Sequence, residues 1–180
     1  LHSKYTKYLG LIIDEHLTWK YQIEDLAKKL RASNGIISKL RHYVPVNTMI
    51  VIYHAMFQSH VNYGLQIWGQ NLPINNRISK LQKTALRLMT FERHDAHTKP
   101  LFTRLNIMTL HENVFYSNIK LTYDILKLNA PIELQNILKL NYYDYSINTR
   151  GNSRRLLRRP EIMTTKHGLC SIRYRLVLNW

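Results

Sequence analysis

Acidic side chains are scarce in this chain. Eleven Asp and Glu stand against twenty-six Lys and Arg, for a formal charge of +15 and a pI near 10.0. That imbalance points to polyanionic partners, most often nucleic acid. Two-metal phosphoryl or nucleotidyl transfer needs converging carboxylates, which polymerases supply as an Asp-Asp pair on a hairpin plus a distant Asp. No Asp-Asp pair exists here. The adjacent acids are Asp14-Glu15, which read as turn-shaping residues, and Glu24-Asp25, which fall in a helical stretch where neighbours diverge. A single cysteine, Cys170, excludes an internal disulfide. His94-x-x-His97 and His167-x-x-Cys170 have ligand-like gaps, but a structural zinc takes four ligands, usually with more than one thiolate, so no metal site is expected. Gly-rich phosphate loops, G-x-S-x-G and H-E-x-x-H are also missing, and no catalytic residue, cofactor or small-molecule substrate is assigned. Neither a secretory h-region nor a membrane span is expected. The longest apolar stretch, Val44 to Trp68, is interrupted by Asn47, His54, Gln58, His60, Asn62 and Gln66. An intracellular setting, nuclear or cytoplasmic, is compatible with these features.

The apolar content, 45%, is enough for a core, and its spacing is mostly helical. Trp19, Ile23, Leu26, Leu30, Ile37, Leu40 and Val44 predict one amphipathic helix, with Thr18 as N-cap and Pro45 as its stop. Lys28, Arg31, Gly35, Lys39 and His42 fall on the opposite stripe. Gly35 there either lets phosphate approach the backbone or marks a break at Ser33-Asn34-Gly35. Asn47 is expected to cap a second, buried helix through Phe57, continued by Val61, Leu65 and Trp68. Pro73 and Asn75-Asn76 predict a loop before a third helix, with Ile74, Ile78, Leu81, Ala85 and Leu88 on one stripe and Lys80, Lys83 and Arg87 on another. After a loop from His94 to Pro100, helices are predicted near 101–105, 110–128 and 132–138.

From Asn141 onward the texture changes, with eight Lys and Arg against two acids. Arg154, Arg155, Arg158 and Arg159 read as an extended or loosely helical clamp. Ile172, Tyr174 and Leu176 alternate with Arg173 and Arg175 in the period of a strand. Tyr142, Tyr143, Tyr145 and Tyr174, interleaved with Arg150 and Arg175, would suit stacking on unpaired bases or would plug a small core. The fold expected is mainly α: a helical bundle with an N-terminal β-hairpin fragment and a basic, partly extended C-terminal arm. The chain reads as a piece of something longer.

The landmarks Lys7-Tyr8-Leu9-Gly10, Asp14, Leu17-Thr18-Trp19, Lys39-Leu40-Arg41, Tyr53, Asn62-Tyr63-Gly64, Trp68-Gly69, Leu81-Gln82-Lys83, Ala85 and Arg87 follow one another in a recognisable order. The order continues through His97-Thr98-Lys99-Pro100-Leu101-Phe102 and Asn148-Thr149-Arg150 to Ser171-Ile172-Arg173-Tyr174-Arg175. In this succession the chain resembles the C-terminal part of a non-LTR (LINE-type, jockey-like) retrotransposon reverse transcriptase. It departs at the end, where Leu176-Val177-Leu178-Asn179-Trp180 replaces the family's tendency to Gly-Pro and Trp-Asn.

The resemblance implies that residues 1–17 are the palm-end primer-grip hairpin, with Tyr8, Leu9 and Gly10 near a primer end. It further implies a helical thumb over 18–92, post-thumb helices over 93–140 and a basic arm over 141–180. The catalytic Asp pair would lie upstream, so this chain alone is not expected to polymerise. The expected partner is RNA or an RNA–DNA duplex, held without sequence preference by Lys28, Arg31, Lys39, Lys80, Lys83 and Arg87 and by the arginines of the arm. A catalytic palm encoded upstream is a further implied partner. The competing readings are a helical module docking on an acidic protein, or a decayed copy with no function.

Overall fold

A two-residue reversal opens the chain. Leu9 (φ 45°) and Gly10 (φ 80°) are both left-handed, the geometry that matches the twist of a tight hairpin. They join strands β1 (Tyr5–Tyr8) and β2 (Leu11–Asp14), which pair antiparallel with Tyr8 opposite Leu11 and Tyr5 opposite Asp14. Leu9 and Gly10 thus form the turn, and β2 begins only at Leu11. The structure, a computed structural model, describes residues 4–70, 72–135 and 175–176, with side chains left aside at 72–75.

Helix α1 (Lys20–Leu40) buries Ile23, Leu26, Ala27, Leu30 and Ile37, the predicted stripe, and runs unbroken through Ser33-Asn34-Gly35. Its start differs from expectation. Trp19, in a left-handed conformation (φ 62°), is the N-cap rather than Thr18, and no side chain caps it. Asp14 governs this junction instead, accepting the backbone N–H groups of Thr18 (2.9 Å) and Trp19 (2.8 Å). Burial pushes the Asp14 carboxyl up, but these and further hydrogen bonds outweigh it and hold the group below the usual range.

The predicted second helix is broken into pieces. Pro45 precedes α2 (Val46–Tyr53), so Asn47 is inside the first turn and not its cap. A π-helical turn (His54–Gln58) follows, then α3 (Ser59–Asn62), and α4 (Leu65–Trp68) after a left-handed Gly64. Helix α5 (Leu72–Thr90) begins earlier than expected and takes Pro73 and Asn75-Asn76 into its first turns. Proline is tolerated there because its missing N–H would be unpaired anyway. Then come α6 (Lys99–Leu105), α7 (Leu110–Leu126) and α8 (Ile132–Gln135). The protein is mainly α, as expected.

Contacts divide the chain into two units, Leu1–Asn113 and Val114–Trp180. In the first, Tyr53, Phe57, Trp68, Leu30, Ile37, Ile78 and Leu86 are fully buried, each aliphatic or aromatic side chain contributing roughly 1.5–3 kcal/mol. In the second, Ile125 packs with Leu176, flanked by Leu121, Leu126, Ala130 and Leu134. Arg175 and Leu176 are helical, which corrects the strand expected at those two positions. The remainder of the basic arm, including Arg154, Arg155, Arg158 and Arg159, lies outside the described residues. No described helix is long and apolar enough to cross a membrane.

Candidate nucleic-acid interface

The first unit is organised around a buried amide. Gln82, 2% exposed, donates through Nε2 to the Tyr53 hydroxyl (3.0 Å) and the Met108 carbonyl (2.9 Å), and accepts the Leu110 N–H (3.0 Å) through Oε1. Tyr53 passes the chain on, donating to Gln58 Oε1 (3.0 Å), whose amide donates to Asn62 (2.8 Å). Burial pushes the Tyr53 hydroxyl up to about 12, with the Gln82 contact working against that rise. Fully partnered polar networks of this kind fix one packing arrangement, because any other would strand a buried dipole.

A second clasp holds the hairpin. Tyr63 donates its hydroxyl to the Leu9 carbonyl, and its own carbonyl accepts the Trp68 indole N–H (2.9 Å). Gly64 lies beneath Leu11, and a Cβ there would meet Leu11 Cδ2 at 2.9 Å. Gln22 closes the other side by accepting the Ile12 N–H (2.9 Å), while Tyr5 packs on Tyr21 with ring centroids 4.8 Å apart. Tyr8 and Leu9 remain exposed at the tip. The landmarks Tyr53, Asn62-Tyr63-Gly64, Trp68 and Gln82 are thus parts of these two clasps, which tie the hairpin and the later helices to one core.

The cationic side chains sit on the far side of that core. Asn34 donates to the Leu81 carbonyl (3.0 Å) and Arg41 to the Leu88 carbonyl (3.4 Å), each pair 47 positions apart. Equal offsets two turns apart on both helices make α1 and α5 parallel and in step. At about 100° per residue, helical phase then puts Lys28, Arg31, Gly35 and Lys39 of α1 on the same outward side as Lys80 and Arg87 of α5, while His42 lies in the turn beyond the end of α1. Arg77 joins them. Sequence reasoning missed it, because its phase on α5 has meaning only once α1 is known to lie beside it.

Lys28, Arg31, Lys39, Arg77, Lys80 and Lys83 are exposed, and none forms an ion pair with a described carboxylate. Arg87 is already engaged. Its Nε (3.0 Å) and Nη2 (2.8 Å) both donate to the Ala96 carbonyl, pinning the loop after α5. Lys83 diverges to the flank, where with Lys99, Thr98, Thr103 and Asn106 it borders a surface hollow of about 540 Å³. Asp14 spends both carboxylate oxygens on backbone, and His94 and His97 are exposed loop residues. No cluster of three or more His, Cys, Asp or Glu suited to a metal ion occurs among the described residues.

No family model matches the chain, and no solved structure matches it. Over 88 residues it is 30% identical to a Drosophila melanogaster protein named "Probable RNA-directed DNA polymerase from transposon X-element", covering 47% of this chain. The similarity supports an origin related to a retrotransposon reverse transcriptase. The matched stretch is 10% of that relative's length.

Proposed function

We propose that the chain is a fragment from the C-terminal part of a non-LTR retrotransposon reverse transcriptase, comprising the primer-grip hairpin and thumb, and that it binds RNA or RNA–DNA duplex without sequence preference. One observation carries the reading: two parallel, in-step helices turn Lys28, Arg31, Lys39, Arg77 and Lys80, none ion-paired with a described carboxylate, to one side. Lys28 to Lys39 span roughly 16 Å of helix axis, at about 1.5 Å per residue, long enough to follow several phosphates. Tyr8-Leu9-Gly10 forms an exposed, clasped turn, the shape a strand-end grip requires. In this reading the catalytic carboxylates belong to a palm upstream, and the chain alone extends no primer.

Fluorescence anisotropy across a salt series tests it. Binding weakens steeply with salt, and Lys28, Arg31 and Lys39 changed together to Ala flatten the log–log slope by up to roughly 2.7, about 0.9 per lost duplex contact. Lys99→Ala, on the flanking hollow, leaves the slope near wild type. An unaltered slope in the triple variant removes the outward face from the site.

A further inference from the structure

At the C-terminal end of the α1/α5 pair the outward face meets an aromatic ring held in an uncommon backbone conformation. Phe91 has φ +57°, which for a bulky residue is an outlier that the surrounding contacts must hold in place. The ring is nevertheless 56% exposed. Arg41 lies over it, with the guanidinium carbon 4.5 Å from the centroid, and His42 meets it edge-on at 5.3 Å. Arg41 is itself anchored, donating to the Leu88 carbonyl and through Nε to His42 (3.3 Å). Cation and ring thus form a preorganised stack with part of the ring uncovered. Beside it opens a hollow of about 390 Å³, walled by Met49, Ile50, Met89 and Leu105 and edged by Arg41 and Arg104. Its size falls within the range of ligand-sized clefts.

We infer that this hollow takes an unpaired nucleobase, stacked on Phe91, from a strand whose phosphates lie along the outward face. The inference rests on the nucleic-acid reading above and adds a site to it. A base has a flat π surface and is tethered to an anion, so it matches both an aromatic ring and cations at the rim. His42 lies in the turn just past the end of α1, beyond Lys39 of the cationic stripe, and meets the Phe91 ring, so a strand following the stripe arrives at the hollow. An apolar peptide side chain would match the walls but not the two guanidinium groups. The described carboxylate beside them, Glu92, lies 3.9 Å from Arg104 and leaves Arg41 uncompensated.

The test compares a blunt RNA–DNA duplex with the same duplex bearing a short single-stranded extension that contains the fluorescent base 2-aminopurine. Wild type is expected to prefer the extended duplex and to quench the analogue. Phe91→Leu, which keeps an apolar side chain but removes the stacking ring, reduces that preference and the quenching, toward a loss of roughly 5- to 150-fold in the extension's contribution. Phe91→Trp restores both, and affinity for the blunt duplex stays within about twofold throughout. Far-UV circular dichroism of the variants checks that the fold is kept. Quenching and preference that persist in Phe91→Leu overturn the inference. Salt-dependent duplex binding with no gain from the extension overturns this site alone, whereas no binding of either duplex overturns the nucleic-acid reading with it.

Discussion

Gln82→Met is expected to destabilise the first unit by about 2–3 kcal/mol, and each of the three hydrogen bonds fares differently. The Met108 carbonyl keeps a donor, Asn113 Nδ2 at 3.3 Å. Tyr53 keeps its bond to Gln58. Leu110 N–H loses the acceptor it has on Gln82, and an orphaned buried donor costs roughly 1–3 kcal/mol. Losing two further hydrogen bonds raises the total, while the apolar side chain of similar volume offsets part of it. Tyr53→Phe alone should cost about 1 kcal/mol, since Gln82 still reaches Met108. Because the two side chains touch, the double variant should fall short of the sum by about 0.5–1 kcal/mol. Urea unfolding followed by far-UV circular dichroism measures all three. A Gln82→Met variant within about 0.5 kcal/mol of wild type would mean that the amide is not the link between α2, α5 and the start of α7, and the argument for a single clasped core would fail.

Gly35→Ala should stabilise the chain by about 1 kcal/mol, since the residue is inside a continuous helix and an added Cβ meets nothing within 4 Å. Duplex affinity should hardly change, and a tenfold loss would show instead that phosphate approaches the backbone there. Tyr53 predicts an alkaline transition. Its folded-state value, about 12, exceeds the ordinary 10.0, so the folded chain keeps a proton that the unfolded chain releases. The stability linked to that proton is fully present below pH 10 and is lost as pH rises toward 12. The wild-type advantage over Tyr53→Phe in urea unfolding should therefore shrink over that window, and a constant difference would refute the assignment.

The helical stretches were legible because their apolar spacing is local. Ile23, Leu26, Leu30 and Ile37 mark a face whatever that face meets. Helix ends were harder to read. Nothing around Thr18 announces that Asp14, four residues earlier, takes its N–H, or that Trp19 turns left-handed. The breaks between α2 and α4 were hidden inside a run that is apolar nearly all round, where periodicity loses its contrast. The start of α7 does carry a local signal: Thr109-x-x-Glu112 is a capping box, with Glu112 accepting the Thr109 N–H (2.7 Å) and its own N–H donating to the Thr109 hydroxyl (3.3 Å). The Thr109 N–H and the Thr109 hydroxyl, which donates to Glu112 Oε2 (2.9 Å), hold the Glu112 carboxyl below its usual range.

Helix phase, hairpin strands and the sign of each exposed stripe follow from neighbouring residues, because a backbone repeat fixes which side chains share a face. How those faces combine is another matter. Asn34 and Arg41 each bond a carbonyl 47 positions away, and that packing aligns α1 with α5, adds Arg77 to the outward side, turns Lys83 to the flank and places Phe91 beneath Arg41. Such contacts depend on which helix lies beside which, a relation that no local spacing encodes.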